Sequence, residues 1–207
     1  MKTPKKIQLY AGILSVFALV SSSGTAAIIA SYDFSTDSNT EGWTPNNITG
    51  LTTSGGYLIG TASSNDPQLL KNPESITTGS GQTWDTVVFR IREFDDVSGK
   101  YIGSSGAPTF NTVGVIVQVN GEIINAGFTA VASGDDFYTV TADISGLADT
   151  TITNFRVDPI GGALSNSGSE TNGNSFEVDF IQVNAVPEPG AALLGGLSML
   201  ALLRRRR

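Results

Sequence analysis

The 207-residue chain contains neither cysteine nor histidine. Without cysteine it can form no disulfide bond, so its stability has to come from a packed core. Without histidine it lacks the usual general base at neutral pH and the commonest metal ligand. The two absences exclude Ser-His-Asp and Cys-His catalysis and ordinary zinc sites.

Basic residues are scarce in the middle of the chain. All 19 acidic residues lie between Asp33 and Glu188, and only five basic residues oppose them there. That stretch has a net charge of −14, against −7 for the whole chain. Such a surface disfavours nucleic acid and anionic membranes as partners. It suits calcium binding, or simply solubility outside the cell.

A sustained helical periodicity is also absent between the two ends. Clusters of Gly, Ser, Thr and Asn separate short runs of β-branched and aromatic residues, which is typical of strands. The predicted strands are Ile28–Phe34, Ile48–Thr53, Tyr57–Ala62, Gln68–Lys71, Asp85–Phe94, Thr109–Asn120, Glu122–Ala130, Phe137–Ile144, Thr151–Val157 and Ser175–Val183. Turn signals at this spacing predict an all-β domain, built as an antiparallel two-sheet β-sandwich.

Alternation within these runs predicts which side chains face the core. Val87, Phe89 and Ile91 are expected to point inward, and Arg90 and Arg92 outward. By the same rule Phe176, Val178 and Phe180 form an inward stripe, with Asp179 on the opposite face.

The Asn120-Gly121 pair, between two apolar runs, predicts a tight hairpin turn.

The N-terminus has the layout of a secretory signal peptide. Three lysines precede the apolar run Ile7–Val20, and small residues follow it up to Ala27. This order predicts a signal peptide over residues 1–27, cleaved after Ala27, and export by the general secretion machinery. An uncleaved anchor is the alternative, although 14 apolar residues are few for a stable membrane span.

The C-terminal residues 185–207 combine three features in a fixed order: the motif Pro187-Glu188-Pro189, the uncharged run Ala191–Leu203, and the basic end Arg204, Arg205, Arg206 and Arg207. The prolines favour an extended motif. The apolar run has 13 residues, short of the roughly 20 that span a bilayer, and the arginines are expected to stay in the cytoplasm. This pattern predicts a transient membrane segment.

The order of these features resembles the PEP-CTERM sorting signal of Gram-negative bacteria. The resemblance implies recognition in the inner membrane by an exosortase and removal of the tail near the motif. It also implies delivery to the cell envelope, the cell surface or the extracellular biofilm matrix. The alternative is an ordinary tail anchor that follows a Pro-Glu-Pro linker.

The middle of the chain, residues 28–184, resembles the jelly-roll carbohydrate-binding modules. Tyr32–Phe34 with Glu41–Trp43 is similar to their opening, and Phe155–Pro159 with Phe176–Ile181 to their closing strands. The resemblance implies a jelly-roll sandwich and contact with polysaccharide.

The same resemblance implies a structural calcium ion bound by Asp33 and Asp179. Ser35 departs from the glutamate that the family often has after the opening Phe, which weakens the metal site at this position. The alternative is that Asp33 caps a turn and Asp179 is hydrogen-bonded within the sheet.

The candidate carbohydrate-binding residues are Trp84, Arg90, Arg92 and Tyr101. Trp84 shares the strand parity of the two arginines, so an open face would carry an aromatic and cationic strip. The alternative is that the arginines pair with nearby acids on a solvated face. Trp43 is expected in the core.

Catalysis is not expected. Glycoside hydrolysis needs two carboxyl groups about 5–10 Å apart across a cleft. The acidic clusters Glu93-Phe94-Asp95-Asp96 and Asp135-Asp136 are more typical of strand ends and turns. The sequence therefore predicts an exported, non-catalytic protein that contacts polysaccharide. A structural matrix protein without a specific ligand and a glycoside hydrolase are the alternatives.

Overall fold

The computed structural model describes residues 25–96, 98–105, 115–124, 128–160 and 173–188. All regular secondary structure in these residues is β-strand. The strands are β1 (Ala27–Tyr32), β2 (Thr44–Asn46), β3 (Ile48–Ser54), β4 (Tyr57–Ala62), β5 (Gln68–Lys71), β6 (Ile76–Thr77), β7 (Gln82–Asp95), β8 (Lys100–Tyr101), β9 (Ile116–Val119), β10 (Glu122–Ile124), β11 (Thr129–Ala132), β12 (Tyr138–Asp143), β13 (Thr151–Ile152), β14 (Phe155–Asp158) and β15 (Ser175–Pro187).

Most of the two predicted sorting segments lies outside the described residues. These are residues 1–24 of the signal peptide and, at the other end, Pro189, the run Ala191–Leu203 and the four arginines. Within the described ranges, no helix combines the length and apolar character that a membrane crossing requires.

The strands form antiparallel sheets. An eight-stranded sheet has the order β11-β12-β7-β15-β4-β3, with β1 also paired to β15 and β8 to β7. A five-stranded sheet has the order β10-β9-β14-β5-β2, and β13 pairs with β6. The prediction of an all-β antiparallel fold is confirmed.

The two larger sheets contribute to one hydrophobic core. Phe89 and Val178 of the eight-stranded sheet belong to the same buried cluster as Val117 and Val157 of the five-stranded sheet, and all four are fully buried. Trp43 also lies in this cluster, as predicted, and is 1% exposed. Burial of these side chains supplies the stability that the chain cannot draw from disulfides.

A β-bulge interrupts β15 where it pairs with β7. From Val178 to Phe180 the strand advances two residues while β7 advances one, so Asp179 is the extra residue. The faces exchange at this point: Phe180 is only half-buried and Ile181 is fully buried. The predicted inward stripe is therefore correct at Phe176 and Val178 and wrong at Phe180.

The Asn120-Gly121 hairpin is confirmed, with φ of 50° and 87° at its two turn residues. The predicted strand Thr151–Val157 is instead divided into β13 and β14, which belong to different sheets. The Asn120 side chain lies at the division. Its amide donates to the carbonyl of Thr151 at 2.8 Å, and its Oδ1 accepts the N–H of Thr153 at 2.8 Å. The side chain thus takes hydrogen bonds that a continuous strand would make to a neighbour.

Candidate functional site

An arginine cluster lies on the outer face of the eight-stranded sheet. It comprises Arg90 and Arg92 of β7, the rings of Tyr57, Tyr101 and Phe137, and the carboxylates of Glu177 and Asp179.

Three aromatic rings surround the Arg92 guanidinium. Its central carbon lies 4.5 Å from the ring centre of Phe137, 4.6 Å from that of Tyr101 and 5.5 Å from that of Tyr57. Arg90 lies 4.1 Å from the ring of Phe137. The Tyr57 and Phe137 rings stack at 5.4 Å between centres. A cation held against aromatic faces at these distances is attracted by the ring quadrupoles.

Each arginine is also paired with a carboxylate of β15. Arg92 bonds Glu177 Oε2 through Nε at 2.8 Å and through Nη2 at 2.5 Å. Arg90 Nη1 bonds Asp179 Oδ2 at 2.6 Å. Strand register explains the first pair, since Glu177 stands directly opposite Arg92, and the bulge at Asp179 places the second carboxylate beside Arg90.

The pairing shifts the titration of neighbouring groups. Partial burial, the largest single effect, acts to lower the pKa of Arg92. The hydrogen bond to Glu177, the charge of Glu177 and the two neighbouring tyrosines together outweigh it, so the net pKa is raised. Burial raises the pKa of Tyr101, and its hydroxyl donates to Glu177 Oε1 at 3.1 Å. The raised pKa keeps the Arg92 guanidinium charged. The side chains of Arg90 and Arg92 are each 19% exposed.

The loop between β11 and β12 closes one side of the cluster. Arg90 Nε donates to Ser133 Oγ at 3.1 Å, and Arg92 Nη1 donates to the Asp135 carbonyl at 3.3 Å. Asp135 and Asp136 have φ of 53° and 61°, and both are exposed. This acidic pair is therefore a left-handed turn, in line with the reading of such pairs as turns.

The prediction that Trp84 shares the outer face with Arg90 and Arg92 is wrong. Trp84 is 2% exposed, and its indole N–H donates to the Asp149 carbonyl at 2.5 Å. The cause is a second shift in the pairing of β7 with β15. Between Val87 and Trp84, β7 uses three residues while β15 uses two, which turns Trp84 onto the core side.

The structure thus brings together three of the four predicted carbohydrate-binding residues: Arg90, Arg92 and Tyr101. Tyr57 and Phe137 supply the aromatic contacts that were expected from Trp84, and the sequence analysis missed both. Each ring begins a strand or directly precedes one, after a turn rich in left-handed residues. That position was the signal available in the sequence.

The two residues predicted to bind calcium have other partners. Asp33 is exposed, and its Oδ1 accepts the N–H of Ser35 at 3.1 Å. Its pKa is lowered by its hydrogen bonds with Ser35. Asp179 pairs with Arg90. No group of three or more acidic side chains in the described part of the chain is placed to hold a metal ion. Calcium binding stays a prediction.

The acidic cluster at the end of β7 is largely enclosed. Glu93 and Asp95 are 0% and 1% exposed. The Asn174 amide donates to Glu93 Oε1 at 2.7 Å, and the Ser98 N–H donates to Asp95 Oδ2 at 3.1 Å. These contacts are those of buried polar groups satisfied within a fold.

A second charged cluster, also missed, lies on the five-stranded sheet. Arg156 donates hydrogen bonds to the Asp158 carboxylate from Nε at 2.6 Å and from Nη2 at 2.5 Å. Its Nη2 also donates to Asp66 Oδ1 at 3.0 Å. Asp158 is 2% exposed, and burial raises its pKa to about 6 in spite of the arginine. The spacing of two between Arg156 and Asp158, which places both on one face of a strand, was the available signal.

Comparison of the chain with protein-family models, with curated proteins and with solved structures gives no match in any of the three.

Proposed function

We propose that the chain is an exported, non-catalytic β-sandwich of the jelly-roll type that contacts polysaccharide through the arginine cluster. The observation that carries this proposal is a pair of half-exposed tyrosines, Tyr57 and Tyr101, whose ring centres lie 5.5 Å and 4.6 Å from the Arg92 guanidinium carbon. A sugar ring has an apolar C–H face that can lie on an aromatic ring. Its hydroxyl groups can bond to the adjacent charged side chains.

The cluster suits binding because its side chains are already held in place. The ion pairs of Arg90 with Asp179 and of Arg92 with Glu177 restrict long side chains that would otherwise lose freedom when a ligand binds. Affinity is usually limited by such ordering costs. The two-sheet core, shared by antiparallel strands, supports the jelly-roll assignment.

Delivery is proposed through the two terminal segments. The general secretion machinery would export the chain, and an exosortase would process it at the Pro187-Glu188-Pro189 motif after a transient stay in the inner membrane. The mature protein would then lie in the cell envelope, at the cell surface or in the extracellular matrix. The order of motif, short apolar run and four arginines supports this route.

Replacing Tyr57 by alanine is expected to weaken retention of the exported protein on its matrix polysaccharide about fivefold or more, since truncating a central aromatic contact typically costs over about 1 kcal/mol. Affinity electrophoresis through gels containing the polysaccharide measures this. Ile123→Ala is the matched control, because Ile123 is 48% exposed on the other sheet. Equal retention of the two variants would contradict the proposed face.

The second candidate is a structural matrix protein without a specific ligand. It is favoured by the ion pairs, because the charges of both arginines are already satisfied inside the protein. In that case the unmodified protein would show no retention on any matrix polysaccharide in the same gels.

A further inference from the structure

The last strand of the eight-stranded sheet runs into the sorting motif. Beyond Asn184, where the domain was expected to end, β15 continues to Pro187, with Val186 opposite Thr83 and Pro187 opposite Gln82. The N–H of Glu188 then donates to the carbonyl of Gly81 at 2.7 Å. The first half of the motif is therefore extended, as predicted, but it is bound to the start of β7.

The proline fits this strand without loss of a ladder hydrogen bond. Successive N–H groups of a strand point to opposite sides, and that of Glu188 points toward β7. The nitrogen of Pro187 therefore faces the other edge. On that edge β1 begins at Ala27, opposite Ala185, so no strand of the described residues lies beside Pro187.

The attachment of the end of β15 to the rest of the sheet weakens from Ala185 to Glu188. Ala185 is fully buried, paired with Trp84 on one side and with Ala27 on the other. Val186 is half-buried, and Pro187 and Glu188 are exposed; Pro187 lies opposite Gln82, and the N–H of Glu188 bonds the Gly81 carbonyl. Short, exposed segments of this kind open locally at a small cost in free energy, whereas the buried Ala185 stops the opening.

We propose that pairing with Gly81–Thr83 shields the motif, and that the processing enzyme acts only when Val186–Glu188 has detached from β7. This rests on the sorting function proposed above. Enzymes that take an extended peptide commonly bind its backbone as an added strand. The Glu188 N–H is occupied by Gly81, and Pro187 offers no N–H to the free edge. While the segment is attached, neither of its edges therefore offers the enzyme a complete set of free backbone groups with which to pair as a strand.

A disulfide across the pair tests the proposal. Val186 stands directly opposite Thr83, and opposed antiparallel residues have Cα atoms about 4.5–5.5 Å apart, within the range that a disulfide needs. The chain has no other cysteine. The full-length Thr83→Cys/Val186→Cys variant, in a processing host, is expected to mature at least about tenfold more slowly when oxidised, and at the normal rate after reduction. Immunoblots of a pulse-chase measure this.

Thr129→Cys/Thr141→Cys, an opposed pair of β11 and β12, is the matched control and should mature at the normal rate. Normal maturation of the oxidised Thr83→Cys/Val186→Cys variant would overturn the shielding proposal and leave sorting intact. Failure of its two thiols to couple would also overturn the proposal, since the pairing would then be wrong. If the unmodified chain is never shortened in the processing host, the proposed sorting function is wrong, and the shielding proposal that rests on it is wrong too.

Discussion

Replacing Trp84 by alanine is expected to lower the free energy of unfolding by about 3–5 kcal/mol, the usual cost of emptying a large aromatic site in a core. Trp84 is 2% exposed, and the alanine variant also leaves the Asp149 carbonyl without its indole donor. Urea unfolding followed by circular dichroism measures the change. Loss of this side chain is thus expected to act on the fold and not on a binding surface.

Trp84→Phe separates packing from hydrogen bonding, because it keeps most of the ring volume and removes the N–H. Its cost should be smaller, with about 0.5–1.5 kcal/mol from the lost hydrogen bond, since Asp149 is exposed and water can replace the indole donor. The core position of Trp84 would be wrong if Trp84→Ala had a free energy of unfolding within about 0.5 kcal/mol of that of the unmodified protein and lost polysaccharide retention.

Replacing Arg156 by leucine is expected to cost about 3–5 kcal/mol near pH 8, because it leaves the buried Asp158 carboxylate without its cation. The cost should shrink toward pH 5. Asp158 has a pKa of about 6 in the folded protein against an ordinary value of 3.8, and loss of the arginine raises it further. A carboxyl whose pKa is raised by folding stabilises the folded state while it is protonated, and that contribution is lost as pH rises through the folded pKa.

The pH series needs a background without the titrating group. In Asp158→Asn, this site should no longer contribute to the change in the free energy of unfolding between pH 4 and pH 8. Adding Arg156→Leu to the Asp158→Asn variant should then lower the free energy of unfolding by nearly the same amount at both pH values. Urea unfolding at each pH measures all four proteins. A cost of Arg156→Leu that does not vary with pH would show that Asp158 does not titrate in this window.

Local sequence was sufficient for much of the fold. The strands Tyr57–Ala62 and Gln68–Lys71 have the predicted bounds, and Asn120-Gly121 forms the predicted hairpin. These features depend on alternation and on turn residues that tolerate positive φ, both of which can be read within a few neighbouring residues. The outward position of Arg90 and Arg92 was also predicted, because β7 alternates without an extra residue from Phe89 to Arg92, and the bulge opposite this point lies in β15.

The candidate site depended on contacts between distant segments. Arg92 meets Tyr57, Phe137 and Glu177 only because four strands come together in one sheet. Trp84 and Phe180 were assigned to the wrong faces for a related reason. A bulge is defined by the pairing of two strands, here about 90 residues apart, so counting along one strand cannot locate it.

The Pro187-Glu188-Pro189 motif shows the same division between sequence and tertiary structure. The amino-acid sequence by itself determined the motif, its extended backbone and its place before an apolar run, because prolines, hydropathy and charge are local properties. Only the tertiary structure decided that Pro187 and Glu188 lie against β7, since that contact joins the end of β15 to Gly81 and Gln82, about 100 residues earlier. Backbone hydrogen bonds between strands depend little on which side chains the strands carry. The sequence could therefore not predict this pairing.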